Sequence, residues 1–363
     1  MRHLMLAALA WVGLASLHAA EPPLELLLVS GRDAGVQVVV MTADGSNRRT
    51  LTQGPAENTE PAWSPDGRQV AFTSYRDGNA EIYVMNHDGS QARRLTHEQL
   101  ANSVPTWTPD GRIVFRSMRS RWANFYVMDA DGSNVKALTS TPNDKGEPVL
   151  SPDGRWLAYV ARDEQGRPRI EVMPMSGGEP VVVAPAVRRS SKSSPVWSPD
   201  SRRLLFVEVG ENDQNIKAVE RDGSGLVALT NNHTFNNAPA WSPDGRQVAF
   251  VSGREGSTRM ELARGDIFVM NADGSAQTNL TRHPAEDNNP TWSPDGRSIL
   301  FVSHRDGPAQ IYSVPATGGE ARRLSRGEGQ DRAIRLRPMS PPGGKSNPVA
   351  GAARRDPVST VMQ

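Results

Sequence analysis

Over residues 61–96 the apolar positions fall in short runs rather than in the stripe of an amphipathic helix. In 69–74, Val70 and Phe72 point to one side and Ala71 to the other; in 81–86, Ile82 and Val84 are matched by Tyr83 and Met85. Apolar residues on both faces predict strands buried on both sides, as in sheets stacked against neighbouring sheets. The polar breaks between these runs carry turn chemistry. Ser64-Pro65-Asp66-Gly67 places Pro where φ must be near about −65°, Asp where its carboxylate reaches nearby N–H groups, and Gly where φ turns positive. Asn86-His87-Asp88-Gly89-Ser90 supplies an Asp-Gly hairpin into a further strand at 92–96. The unit therefore reads as four antiparallel strands, named a to d.

The unit recurs. The phrase Pro61-Ala62-Trp63-Ser64-Pro65-Asp66-Gly67-Arg68 returns with small changes at Pro105, Pro148, Pro195, Pro239 and Pro290. Its anchors Trp63, Trp107, Leu150, Trp197, Trp241 and Trp292 are spaced by 44, 43, 47, 44 and 51 residues, the length of a propeller blade. Before the first full unit, 24–30, 36–42 and 48–52 reproduce strands b, c and d without a strand a. After the last unit, Arg337-Pro338-Met339-Ser340-Pro341-Pro342-Gly343 is a worn copy of the anchor phrase, with Met339 standing 47 residues beyond Trp292. A strand a at 334–339 would complete the N-terminal blade and leave no open sheet edge. The expected fold is all-β, a β-propeller of seven four-stranded blades closed by pairing of the N- and C-terminal segments; six blades with an attached N-terminal sheet is the alternative.

Composition sharpens this picture at the ends of the chain. Arg2 and His3, the apolar run 4–17 and Ala19-Ala20 before Glu21 read as a cleaved secretory signal over 1–20, so the propeller at 21–345 is expected in the periplasm or outside the cell. No later stretch approaches the ~18 apolar residues of a membrane span. Residues 346–363 lack apolar periodicity and read as a disordered tail. With 41 Lys and Arg against 40 Asp and Glu, the net charge of +1 gives no field toward nucleic acid, and none is expected as a partner. The absence of Cys removes disulfides, Cys-ligated zinc and thiol catalysis. No Gly-x-Ser-x-Gly nucleophile elbow occurs.

The wording of the repeat, Trp-Ser-Pro-Asp-Gly-Arg followed by Arg-Asp-Gly, Ile-Tyr-Val-Met-Asn, Asp-Gly-Ser and Leu-Thr, resembles the TolB-type propellers over roughly 24–325. The resemblance implies a periplasmic propeller of the cell envelope that binds a lipoprotein partner over the mouth of its central channel. TolB-type proteins also carry an α/β domain and an extended N-terminal box, for which there is no room between Ala20 and Leu24, so the expectation is an envelope-binding role rather than the whole Tol role. Oligogalacturonate lyases share comparable repeats and imply the alternative, a metal-assisted enzyme acting on an acidic oligosaccharide or a peptide.

Alternating strand direction puts the a–b and c–d turns on one rim and the b–c and d–a loops on the other. The first rim is monotonous, and Asp66, Asp110, Asp153 and Asp295 read as turn stabilisers. The Arg that recurs after strand b (Arg32, Arg76, Arg119, Arg162, Arg254, Arg305) reads as architectural, packed between blades. The informative positions lie three before the anchor Pro: Asn58, Asn102, Lys145, Lys192, Asn236 and Asp287 head strand a and are expected to ring the channel mouth, extended outward by Glu57, Glu60, Glu147, Asn237 and Asn288. Trp122, in a b–c loop at 117–124 among Arg116, Arg119 and Arg121, has the composition of an interface hot spot. Arg188, Arg189 and Lys192 form a local basic patch. His97, His233 and His283 could ligate a metal only if their loops converged. These residues are expected to hold a protein or peptide of the cell envelope, with no catalytic residue, metal or other cofactor and with the protein a monomer.

Overall fold

The computed structural model describes residues 24–32, 35–254, 264–327 and 329–338. The signal reading at 1–20, the tail at 346–363 and the segment from Met339 to Gly343 lie outside the described residues. Seven antiparallel sheets of four strands stand in a ring, and each strand a touches the strands a of both neighbouring blades in an unbroken circuit. Among the described residues there is no helix, and so none long and apolar enough to cross a membrane.

Blade 2 shows the plan: strand a Asn58–Trp63, b Gln69–Ser74, c Glu81–Asn86 and d Arg93–Arg94. Strands b and c are buried almost throughout, as their two apolar faces require. One apolar core fills each interface between blades; the core between blades 1 and 2 joins Leu27, Val38 and Val40 to Trp63, Phe72 and Tyr83. The Trp anchors do more than fill space. Trp107 Nε1 donates to the Ala62 carbonyl (3.2 Å), Trp197 to Val149 (2.9 Å) and Trp292 to Ala240 (3.1 Å), so these three indoles tie their blades to the inner strand of the blade before. The Leu-Thr of strand d has a similar double use. Leu51 and Leu95 are buried, while Thr52 and Thr96 accept from the N–H groups of Val38 and Ile82 at 2.9 Å each, carrying the c–d ladder past the end of a two-residue strand.

Blade 1 is composite. Its strands b, c and d are Glu25–Arg32, Gly35–Thr42 and Arg49–Thr50, and its strand a is Gln330–Leu336, paired antiparallel to Glu25–Arg32. Closure by the chain ends and the count of seven blades are as expected, but the register is not. The closing strand starts four residues earlier than 334–339, and the anchor equivalent is Leu336, paired with Leu26, rather than Met339. Leu336 lies 44 residues beyond Trp292, the commonest spacing of the series. The strand needs an apolar residue inside the ring, which Leu336 provides; Pro-Met-Ser-Pro-Pro-Gly imitates the turn composition that follows an anchor. Trp63 Nε1 donates to the Arg335 carbonyl (3.3 Å) across the seam, and Arg48 makes a two-pronged bond to Asp331 (2.9 and 3.1 Å).

Candidate binding channel

The seven residues that head strand a are Asp331, Asn58, Asn102, Lys145, Lys192, Asn236 and Asp287 in blades 1 to 7. All are buried, five of them with no exposed surface, so their side chains do not line the mouth. In blades 2, 3, 4 and 6 they turn into the seam with the blade before. Asn58 Nδ2 donates to Gln37 Oε1 of blade 1 (3.1 Å), Asn102 to Glu81 Oε2 of blade 2 (2.9 Å) and Lys145 Nζ to Asn124 Oδ1 of blade 3 (3.2 Å). In blades 2, 3, 6 and 7 the acceptor atom of the head residue takes the Arg at the end of strand b or just beyond it, with Arg76 on Asn58, Arg119 on Asn102, Arg254 on Asn236 and Arg305 on Asp287 at 3.1–3.4 Å. Each of these guanidiniums lies 4.5–4.8 Å from an aromatic ring of strand c. The Arg therefore closes its own blade instead of packing between blades, and Arg162 departs further by donating to Gly166 in its own hairpin (2.7 Å). Burial pulls the Lys145 ammonium below its usual pKa, against the charges of Glu171 and Asp144, and pushes the Asp287 carboxyl up, against Ser303 and Arg305.

A bulge follows two residues on. Glu60, Val104, Glu147, Ser194, Ala238, Asn289 and Ala333 all take a left-handed φ between 48° and 56°, immediately before the Pro (Ile334 in blade 1) of strand a. The extra residue resets the alternation of the strand. Asn58 and Trp63 are five apart, which would place them on opposite faces of a regular strand; with the bulge, both meet blade 1. The bulge residues are the accessible ring. Glu60 and Glu147 are exposed, and Asn237 and Asn288, beside the bulges of blades 6 and 7, are half-buried. Glu60 Oε2 accepts from the Val104 N–H of the next blade (2.8 Å), and Glu147 accepts from the Ser194 N–H in the same manner. Burial raises the pKa of Glu147, opposed by that N–H.

Two residues beyond the bulge, Ala62, Thr106, Val149, Val196, Ala240, Thr291 and Arg335 hold equivalent places on the seven inner strands. Six are small and neutral, and the seventh is an arginine. Sequence reading missed Arg335 because the closing strand was set three residues out of register; the 44-residue step from Trp292 to Leu336 was the signal that could have found it. A cavity of about 270 Å³ opens beside it, lined by Val196, Ala238, Asn289, Thr291, Ala333 and Arg335, among others.

The remaining candidates lie apart from the channel. Trp122 is not in a loop but opens strand c of blade 3 (Trp122–Met128), with only Arg121 between it and strand b; it is 38% exposed, with the Arg121 guanidinium 6.0 Å from its ring. Arg188 and Arg189 are exposed on the d–a loop, whereas Lys192 leaves that basic patch to pair with Glu208 in the interior (2.8 Å). His97 and His233 are exposed, and His283 Nδ1 accepts from the Ala285 N–H (3.1 Å). Among the described residues no three His, Cys, Asp or Glu side chains come together to hold a metal ion.

Compared with known proteins, the sequence matches the TolB beta propeller domain over residues 99–231 and 189–346, and the Tricorn protease N-terminal beta propeller domain over 34–126. It is similar to the Tol-Pal system protein TolB of Bordetella pertussis, 39% identical over 129 residues, which make 35% of this chain and 28% of that protein. The chain thus spans under a third of the length of the curated relatives it matches. Among solved structures it resembles TolB from Acinetobacter baumannii (TM-score 0.55, 18% identity, 87% of this chain and 67% of that one). It also resembles an oligogalacturonate lyase in complex with manganese (TM-score 0.64, 16% identity, 85% and 87%). Likenesses at this identity speak for the fold alone.

Proposed function

The chain belongs to the TolB β-propeller family, and from that premise we propose that it is a periplasmic, non-enzymatic binding propeller that captures a protein or peptide of the cell envelope at its channel mouth and variable rim. The observation that carries this reading is the two-layer construction of the mouth. Asn58, Asn102, Lys145, Lys192, Asn236 and Asp287 form a buried, bonded layer that fixes the inner strands. Over it, Glu60, Glu147, Asn237 and Asn288 present polar groups to the outside on a backbone held in one conformation. A preorganised polar rim of this kind loses little entropy on association. Trp122, on the same rim, adds an exposed aromatic anchor.

The test is retention of an envelope protein by the immobilised propeller. Glu60→Arg, Asn288→Arg and Trp122→Ala in combination should abolish a stoichiometric capture seen with the wild type, while the melting temperature moves by no more than a few degrees because all three side chains reach the surface. Undiminished capture by the triple variant would remove the mouth and rim as the binding site.

A further inference from the structure

The inner wall of the channel is chemically lopsided. At the bulges of blades 2 and 4 the side chain is a glutamate, and its carboxylate seats on the bulge N–H of the following blade, Val104 or Ser194. The protein thus shows, in two places, what a bulge N–H on this wall accepts. At the bulges of blades 6, 7 and 1 the residues are Ala238, Asn289 and Ala333, with the same left-handed backbone (φ 48°, 51° and 56°) and no carboxylate of their own. Among the described residues no side chain accepts from these three N–H groups. They border the cavity of about 270 Å³, and Arg335 borders it too.

Arg335 is the only charged residue among the seven equivalent positions of the inner strands, and among the described residues no ion pair neutralises it. Its guanidinium donates to the Ile334 carbonyl of its own strand (3.3 Å), and among the described residues it has no carboxylate partner. Glu60, whose charge bears on it, is already committed to Thr73 Oγ1 (2.7 Å) and the Val104 N–H. Water reaches the side chain along the channel, yet the walls crowd it enough to hold its pKa below the ordinary guanidinium value. A guanidinium open to the channel and without a carboxylate partner keeps its planar fork of donors available to an anion.

We propose that this sector of the channel is a carboxylate-binding locus, in which Arg335 and the bulge N–H groups of Ala238, Asn289 and Ala333 hold an acidic side chain presented by a docked polypeptide. The proposal deepens the binding reading above by naming the chemistry of the group that enters the channel. Arginine provides a fork for the two carboxylate oxygens, and the backbone N–H groups provide donors in the form already used by Glu60 and Glu147.

Protein labelled with 15N-alanine gives amide signals at Ala238 and Ala333. Titration at constant ionic strength with acetyl-Gly-Glu-Gly-amide should shift both signals, whereas acetyl-Gly-Gln-Gly-amide at ten times the concentration should leave them in place. Arg335→Gln should weaken the glutamyl peptide at least tenfold. Equal shifts from the two peptides, or unchanged affinity in the variant, would overturn the locus, and the wild-type comparison stands even if the variant folds poorly. The two readings can fail separately. Envelope capture that survives Arg335→Gln, with no discrimination between the peptides, removes the locus and leaves the binding role; clean discrimination without any envelope capture does the reverse.

Discussion

Blades 2 and 4 contain the same four strands but neutralise the head of strand a from opposite directions. In blade 2 the cation comes from behind strand b: Arg76 stacks over Tyr83 at 4.5 Å and donates to Asn58. In blade 4, Arg162 turns away to Gly166, and the cation is the head residue itself, Lys145, which donates to Asn124 and Asn143. Blade 5 follows blade 4, with Lys192 on Glu208 and no Arg after strand b. With Arg48 on Asp331 in blade 1, a cation stands at this place in each of the seven blades. What repeats is therefore a charge at a point in space, and a residue at a position in the repeat is only one way of putting it there. Blade 4 also ends strand d without the Thr bond. It has Val183 and Ala184 there, and compensates with a four-residue strand, Val181–Ala184, where the others have two.

The largest effect expected is on closure, which blade 1 needs and blades 2 and 4 do not. A chain ending at Gly329 loses Gln330–Leu336, and Ile334 with it, and bares Leu26 and Leu28 of the last interface, costing several kcal/mol at about 25 cal/mol per Å². It should aggregate or melt far below the intact protein, while a chain ending at Pro338 should melt within a few degrees of it. Equal melting of both chains would show the closing strand to be dispensable.

Next in size is the lysine scheme. Lys192→Met leaves the half-buried Glu208 with Lys217 alone and should cost on the order of 2 kcal/mol in urea unfolding. Lys192→Met with Glu208→Leu should recover at least half of that loss, because the stranded carboxylate goes with its partner. If the double variant is no more stable than the single one, packing rather than charge holds blade 5.

The arginine scheme is worth less per residue. Arg76→Ala removes a ring contact and a hydrogen bond and should cost about 1–2 kcal/mol, whereas Arg162→Ala should cost under about 0.5 kcal/mol. Matching losses would mean that the two arginines are equivalent after all.

Smallest is a local effect of acid. A bond from the Thr42 hydroxyl holds the exposed Asp44 at about 2, below its usual 3.8, and Ser133, Ser224 and Ser275 lower Asp131, Asp222 and Asp273 likewise. A carboxyl depressed in the folded state binds fewer protons than in the unfolded one, so its contribution is full above about 3.8 and is lost as pH falls toward about 2. The c–d turn of blade 4, Met175-Ser176-Gly177-Gly178, has no such Asp. Amide exchange at Ser46, Ser133, Ser224 and Ser275, corrected for intrinsic rates, should quicken between pH 4 and pH 2 relative to Gly177; parallel behaviour would dissociate the turn aspartates from local stability.

The anchors Trp63 to Trp292 were legible because one spacing and one turn chemistry recur, and that was enough for the blade count. Closure was legible as a missing strand a, since 24–52 holds only b, c and d. The register of closure was not, because Leu336 lacks the indole that marks the other anchors and Met339 sits in a better imitation of the turn. Direction was lost at Asn58 and its equivalents. Period-two reasoning carries their side chains toward the channel, and the left-handed residue at Glu60 and its counterparts, which no composition rule marks because Glu, Val, Ser and Ala all occupy it, turns them into the seams. Arg335 disappeared with the register.

The seam of blade 1 also sets the order of events when the chain folds. Arg337 meets Glu25 at 2.5 Å across 312 residues of sequence, and nothing nearer can substitute for Gln330–Leu336 at the side of Glu25–Arg32. Blades 2 to 7 each take all four strands from a contiguous stretch, so each can form as its own stretch becomes available. Blade 1 must wait with Leu26 and Leu28 uncovered until the far end of the chain arrives. During synthesis in N-to-C order, that interval is the longest the topology allows, and it makes the first of the described strands to emerge the last to be sheltered.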